Sequence, residues 1–455
     1  MRESYHFIGI GGIGMSGIAR LMLKCGFSVS GSDLREGRIT KELEGLGARI
    51  CIGHSPGNIK GMETVVYSSA ISDDNPEMVH ARDKGLPLMR RAEALAMLMR
   101  SKRVITVSGS HGKTTTTSLV SCILLEAGLH PSVAIGGVLK NIDSNACAGK
   151  GDFFVAEADE SDGSFLYYKP EYSIITNVDR EHLDHYRTFE NELGVFGDFL
   201  EHTLPGGCVF ACYDDSNLRR LCSDYGGRTV FFGLEDGSDI SAKNIEQDGF
   251  SSSFDCFAWG KFVFRLRLPL GGRHNISNSL GAIGLGLELG IDPACIRRSL
   301  EGYKGAGRRL DVKFKSDKYM VLDDYAHHPT EIKATLDALD KAWAGRKVVV
   351  FQPHRYSRTQ LLMDEFAHSF DRADILVVTD VYAAGERPIE GVDAHVFLER
   401  LKKTNPGKPV FYTPREKAED FIMDCLRPGD MAVILGAGDI VKVSDDLAER
   451  FKQEN

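Results

Sequence analysis

The sequence contains no stretch approaching 18 consecutive apolar residues, so nothing in it reads as a membrane-spanning helix. Its first residues turn glycine-rich where a secretory leader would stay apolar, and a cytoplasmic protein without membrane insertion is expected. Ten cysteines are scattered between Cys25 and Cys425 with no Cys-x-x-Cys pair, the nearest spacing being Cys208 to Cys212. That argues against a zinc ribbon or a dithiol redox motif and favours reduced, mostly buried thiols. A basic surplus is missing too: 55 Lys+Arg against 64 Asp+Glu leave a net charge of −9, which argues against a nucleic-acid partner. There is no internal repeat and no low-complexity tract. What remains is an ordinary globular composition, 42% hydrophobic and 26% charged, in 455 residues, the length of about three domains.

Short β-branched runs alternate with helical patterns along most of the chain, the signature of parallel α/β sheets. Strands are predicted at Tyr5–Ile10, Thr64–Tyr67, Val104–Ser108, Phe153–Glu157, Ser173–Asn177, Lys347–Phe351, Ile375–Thr379 and Met431–Leu435. Strand-to-helix junctions near residues 10, 109 and 324 each read as the first βα unit of a domain. The expected division is therefore 1–100, 101–307 and 308–455, with a helix over Ala92–Arg103 and a glycine-broken joint at Tyr303–Arg309. Between 250 and 270 the pattern alternates with period two around Trp259-Gly260-Lys261, which predicts an antiparallel hairpin at the edge of the middle sheet. The fold class expected is α/β in three domains: an N-terminal Rossmann-like domain, a central P-loop ATPase-type domain whose mostly parallel sheet has an antiparallel edge, and a C-terminal Rossmann-like domain.

The first junction, Gly9-Ile10-Gly11-Gly12-Ile13-Gly14, fits the GxGxxG pattern, and Asp33 follows at the end of a second short strand. Such glycines let a diphosphate sit against backbone N–H groups at a helix N-terminus. The motif does not distinguish a nicotinamide dinucleotide from another diphosphate, or either from a tight turn that packs a helix on a sheet.

The second junction, Gly109-Ser110-His111-Gly112-Lys113-Thr114-Thr115, is the strongest signal. Backbone amides there can cradle phosphate, Lys113 can neutralise it, and the Thr114 hydroxyl can bind Mg²⁺. Val107 stands where a strict Walker A motif needs glycine, so the loop is a shorter GxxGKT. A magnesium nucleotide needs carboxylates, and Glu157, Asp159, Glu160 and Asp162 follow an apolar strand. Glu157 at the strand end is the best metal ligand; the other three are equally readable as a solvated turn. His182 and Asp184 come after the next strand and could reach the same cation. Asn275 and Asn278 lie three apart at the start of a helix, where they either read an adenine edge or serve as caps and polar surface. At the third junction Asp323, Asp324, Tyr325, His327 and His328 crowd a loop before Pro329, a residue suited to a helix's first position. Arg355 and Arg358, after the next strand, can clamp a carboxylate or be surface arginines.

In this order GIGGIGMSGIA, GSHGKTTTT, EADESDGSFL, TNVDREHLDHY, GRHNISNS, DDYAHHPTE, QPHRYSRT and LGAGDI resemble the Mur ligases of peptidoglycan synthesis over essentially the full length. The resemblance implies an ATP- and Mg²⁺-dependent enzyme that joins L-alanine to the carboxylate of UDP-N-acetylmuramate through an acyl phosphate, as a monomer or weak homodimer. It implies UDP-sugar contacts at Gly11, Gly12, Ile13, Gly14, Met15, Asp33, His54, Ser68 and Ser69. ATP contacts would come from Gly109 through Thr115, Asn275, Asn278, Arg308 or Arg309 and Asp324, and metal contacts from Thr114, Glu157 and His182. Tyr325, His327, Arg355 and Arg358 would form the amino-acid pocket, with Lys113, His327 and the two arginines as the catalytic set and His327 moving the amine proton. Ser110 replaces the usual Thr, and Glu181 the usual Asp before His182. Sister ligases carry a carbamylated lysine fourteen residues beyond the matching His; Phe196 stands there, and no lysine occurs between Lys169 and Lys243. A ligase for a whole murein tripeptide is the nearest alternative. A nicotinamide oxidoreductase explains residues 1–33 only, and a noncatalytic P-loop switch explains the middle domain only.

Overall fold

A computed structural model describes residues 3–454. The chain divides into two compact units. One holds the residues up to Lys243 with Asp255–Leu266 and Ser277–Lys304; the other holds Asn244–Phe254, Arg267–Ile276 and the chain from Gly305 on.

Three sheets account for the strands. The first consists of β1 (Ser4–Ile8), β2 (Ser28–Asp33), β3 (Arg49–Ile52), β4 (Thr64–Tyr67) and β5 (Leu88–Arg90), all parallel, in the order β3-β2-β1-β4-β5. The order reverses at β1, so the glycine loop after it opens at the crevice where such sheets bind ligands. The second sheet contains β6 (Arg103–Ser108), β7 (Ser132–Leu139), β8 (Ser144–Cys147), β9 (Phe153–Glu157), β10 (Tyr172–Ile175), β11 (Cys208–Cys212), β12 (Thr229–Gly233), β13 (Ile240–Asp248), β14 (Ser251–Ala258) and β15 (Lys261–Leu268). Its order is β15-β14-β13-β12-β11-β10-β6-β9-β7-β8, with β6 flanked by β9 and β10. The third comprises β16 (Asp311–Lys315), β17 (Tyr319–Asp324), β18 (Lys347–Phe351), β19 (Ile375–Val378), β20 (Val410–Tyr412) and β21 (Asp430–Leu435), ordered β16-β17-β21-β18-β19-β20.

All eight strands read from the sequence are present, three of them with the expected ends. The hairpin is there as well: Trp259 and Gly260, at φ of 48° and 76°, form a two-residue turn between β14 and β15 at the sheet's edge. Two antiparallel edges went unread, β7 with β8 and β16 with β17, because both pairs are short and carry a register irregularity that blurs their alternation. The helix expected over Ala92–Arg103 runs Arg91–Met99; Arg103 opens β6 instead.

Central strands are buried on both faces, and those of the third sheet carry near-continuous apolar runs. In the third sheet Leu322, Val349, Phe351, Val433 and Leu435 face one cluster, while the alternate residues Val321, Val350, Ala432 and Ile434 face another. Of the ten cysteines, Cys122, Cys208, Cys212, Cys222, Cys256 and Cys295 are buried; Cys51, Cys147 and Cys425 are half-buried and Cys25 is exposed, and none is disulfide-bonded.

Candidate active site

The first glycine loop is built by contacts with the end of β2. Gly9, at φ 74°, and Ile10 donate to the Ser32 carbonyl at 2.8 and 3.0 Å, and Gly11 donates to the Asp33 carboxylate at 2.8 Å. A Cβ on Gly11 would stand 2.8 Å from that same oxygen, so the close approach demands glycine. Gly12 caps the helix Ile13–Lys24 with no side-chain partner, and Ile13 is partly exposed. Ser68 and Ser69 lie just beyond β4. Met15, at 3% exposure, packs its side chain into the core, and in the helix's first turn its backbone N–H is the group suited to an anion. His54 is held from beneath. Its Nδ1 lies 3.0 Å from Ser32 Oγ and 3.5 Å from the fully buried Glu77, which also accepts from Ser32, Asn58 and the Ser55 N–H.

The phosphate loop joins β6 to the helix Lys113–Glu126. Gly109 and Gly112 have φ of 119° and 84°, and added Cβ atoms would lie 2.3 Å from Thr176 Oγ1 and 2.6 Å from Asn278 Oδ1. Side chains after β10 hold the loop: Asn177 accepts from the His111 N–H at 2.9 Å, and Asp179 lies 3.0 Å from His111 Nε2. Lys113 Nζ turns back to donate to the Gly109 carbonyl at 2.7 Å and to Glu160 at 2.8 Å. Burial works against its charge, but Glu160 and Asp159 outweigh burial and raise its pKa, so Lys113 is a permanent cation.

Around it stand the expected metal ligands. Thr114 Oγ1 donates to Glu157 at 2.9 Å, and Glu157 accepts the Gly136 N–H at 2.9 Å. Opposite, His182 Nε2 lies 3.2 Å from Glu181 and 3.5 Å from Glu160; burial lowers its pKa, and Glu160 and Glu181 more than reverse that. The donors suit a hard divalent cation: a rigid strand-end carboxylate, a hydroxyl, and a second buried carboxylate, Glu160, whose Oε2 has no partner. Thr115 and Ser110 are buried, and the Ser110 hydroxyl ties the loop to the segment after β10 by accepting the Asp179 N–H at 2.8 Å. Asn278 packs on Gly112, and Asn275 donates to the Gly271 carbonyl at 2.8 Å.

Sequence reasoning left Glu160 open between a ligand and a solvated turn, and passed over Glu192. The acidic loop is no solvated turn at Glu160, which is fully buried; Asp162, in contrast, only caps the Ser164 N–H. Glu192 is fully buried in the helix Phe189–Glu201, with neither oxygen hydrogen-bonded. Burial, partly offset by His182, pushes its carboxyl up to about 8. A folded pKa above the ordinary 4.5 means that the charged form is penalised only in the folded state. The cost is absent below pH 4.5 and grows as pH rises towards 8. Glu192→Gln removes it: metal-free thermal melts are expected to show a variant equal to wild type at pH 4 and more stable at pH 7, by on the order of 3 kcal/mol. Equal stability at both pH values would refute a penalised carboxyl.

In the second unit, the loop after β17 and that after β18 converge. Arg308 and Arg309 lie 5.0 and 4.9 Å over the Tyr325 ring, and the His327 ring is 5.2 Å from Tyr325 and 5.6 Å from His354. His327 Nδ1 is 3.0 Å from the Tyr325 carbonyl. Pro329 opens its helix as expected, with Glu331 accepting the His327 N–H at 3.0 Å. Asp324 holds the loop itself, accepting the Leu310 and Ala326 N–H groups at 2.7 and 2.9 Å. Arg308 is committed to Asp323 at 3.2 Å and to the carbonyls of Gly436, Ala437 and Gly438. His354, unselected from the sequence, is pushed down to about 2 by burial and by His327, Arg358 and Arg355, so it stays neutral, its Nδ1 3.2 Å from Arg358 Nη1. Arg355 is in the left-handed region at φ 70°. The two loops thus bring Arg358 against a buried histidine that adds no charge of its own.

A GxxGKT loop with carboxylates and a histidine around its lysine, at the end of a central parallel strand, is the arrangement of a nucleotide-dependent phosphoryl-transfer class. Residues 4–103 match the catalytic domain of the Mur ligase family, 107–286 the Mur ligase middle domain and 308–438 the Mur ligase glutamate ligase domain. The chain belongs to the Mur ligase family. It is 44% identical to the UDP-N-acetylmuramate--L-alanine ligase of Geotalea uraniireducens, over 99% of this chain and 98% of the relative. A solved UDP-N-acetylmuramate-alanine ligase from Thermotoga maritima aligns with TM-score 0.86 at 31% identity, over 99% of this chain and all of that one. A murein peptide ligase from Psychrobacter arcticus, 23% identical with TM-score 0.75 over 98% of both chains, shares the fold.

Proposed function

We propose that the protein joins L-alanine to the carboxylate of UDP-N-acetylmuramate at the expense of ATP, in the cytoplasmic synthesis of peptidoglycan precursors. The observation that carries this reading is the Lys113 ammonium, held at the phosphate loop beside Thr114, Glu157 and His182. Support comes also from full-length likeness to alanine-adding ligases. The proposed division of labour gives the UDP-sugar to residues 1–100, ATP to 101–307 and the amino acid to 308–455.

A free carboxylate does not accept an amine, because oxide is too poor a leaving group. Passing the γ-phosphoryl of ATP to that carboxylate makes an acyl phosphate, from which the amine expels phosphate. Lys113 neutralises charge on the transferring group. Thr114, Glu157 and His182 would hold Mg²⁺, which would supply Lewis acidity to the phosphoryl oxygens. Arg355 and Arg358 fix the L-alanine carboxylate, Tyr325 closes the amino-acid pocket, and His327 takes the amine proton. Asn275, Asn278, Asp324 and Arg308 serve the nucleotide by shaping its loops.

The test is ADP release with UDP-N-acetylmuramate and each of L-alanine, glycine, L-serine and a murein tripeptide. L-alanine is expected to give the highest kcat/KM, with no release when either the acid or the amine is omitted. Release with tripeptide but not L-alanine would transfer the protein to the tripeptide-ligase branch.

A further inference from the structure

Arg91 opens the helix Arg91–Met99 directly after β5, and its guanidinium lies between two loops that otherwise belong to different sheets. On one side a Cβ added to Gly14 would stand 2.9 Å from Arg91 Nη1 and 3.3 Å from its Cδ. Gly14 is helical, so the third glycine of the first loop answers to the space Arg91 occupies and not to a special φ. On the other side Arg91 Nη2 donates to Asp159 Oδ2 at 3.1 Å. Asp159 belongs to the acidic loop next to Lys113. Burial raises its pKa, and Arg91, Lys113 and His182 together overcome that and hold it below the carboxylate range. Asn145, from β8, also ties the helix after the first loop to the second sheet: it donates to the Ile13 carbonyl at 2.6 Å and meets the hydroxyl of Ser16, three residues on, at 3.3 Å.

We infer that Arg91 binds the diphosphate of the sugar nucleotide in competition with Asp159, and so links occupancy of the first glycine loop to the charge around Lys113. This rests on the reading of that loop given above. The guanidinium is forked, faces the first turn of the helix on which a diphosphate would sit, and is now satisfied by a carboxylate that an incoming phosphate can replace. Release of Arg91 leaves Asp159 to Lys113 and His182, strengthening the negative field where a magnesium nucleotide binds. The carboxylate to be phosphorylated has to lie farther on, at Lys113, so the diphosphate is the group of the substrate that meets Arg91.

Calorimetric titration of the full chain with UDP, UDP-N-acetylmuramate and uridine tests this. Arg91→Ala is expected to weaken both diphosphates by about thirtyfold or more and leave uridine unchanged, with Arg91→Lys recovering part of the loss. Asp159→Asn, which removes the competitor and keeps the guanidinium, is expected to tighten UDP by about threefold or more. A purely structural tie would make both variants weaken UDP alike, and an unchanged UDP affinity in Arg91→Ala would overturn the role outright. Failure of the wild type to bind UDP would remove the sugar-nucleotide reading and the role of Arg91 together. A change in UDP binding without any alanine-dependent turnover would retire the proposed reaction alone.

Discussion

Lys113→Ala is expected to lower ADP release by about a thousandfold or more at saturating substrates, while the variant still folds. The lysine touches nothing that another cation can replace. Its ammonium is enclosed by two carbonyls of its own loop and by Glu160, whose Oε1 also lies 3.5 Å from His182 Nε2. Removing it from a phosphate-bearing site leaves several negative charges in a buried cradle without compensation. The same removal strands the Glu160 carboxylate, which is fully buried, so the single variant should also lose on the order of 3 kcal/mol of stability. Lys113→Ala combined with Glu160→Gln separates the two effects: melting temperature should recover and turnover should not. Turnover within about tenfold of wild type in either variant would take Lys113 out of the phosphate site.

That pairing of Lys113 with Glu160 marks where reading from sequence stops. The glycine loops, the strands and the helix at Pro329 are local: each follows from turn conformation, two-residue alternation or a cap, and the structure contains them all, with some strand ends shifted by one or two residues. Glu160 and Asp162 have the same local signature, acids in a polar turn two residues apart, yet one is buried against a lysine 47 positions earlier and the other caps a nitrogen. Glu192 lies on a helix whose neighbouring Glu190 is exposed, and no periodicity tells which of the two meets the core. Arg91 stands in the doublet Arg90-Arg91 at a helix start, and only the approach of the Asp159 loop distinguishes it from its neighbour. Met15 shows the converse: a residue inside a recognisable motif whose side chain the core takes for itself. In each case burial is decided by residues distant in sequence, which no window of local pattern contains.

The acidic loop supplies the second large effect. Glu157→Gln keeps the shape of the side chain and an oxygen to accept the Gly136 N–H at 2.9 Å. It removes one negative charge from the place where the Thr114 hydroxyl and the carboxylate face each other at 2.9 Å. A neutral amide is a much poorer partner for a hard divalent cation. Turnover should fall by about a hundredfold, and the Mg²⁺ concentration for half-maximal activity should rise by about tenfold, so that added Mg²⁺ recovers part of the loss. Asp162→Asn is the matched control in the same loop, since its oxygen only accepts the Ser164 N–H at 3.0 Å; its Mg²⁺ activation curve should overlay that of wild type. The pair of curves discriminates between a metal ligand and general acidity of the loop. Equal displacement in both variants would mean that the loop acts through its summed charge, and an unshifted curve in Glu157→Gln would move the metal to Glu160 and His182.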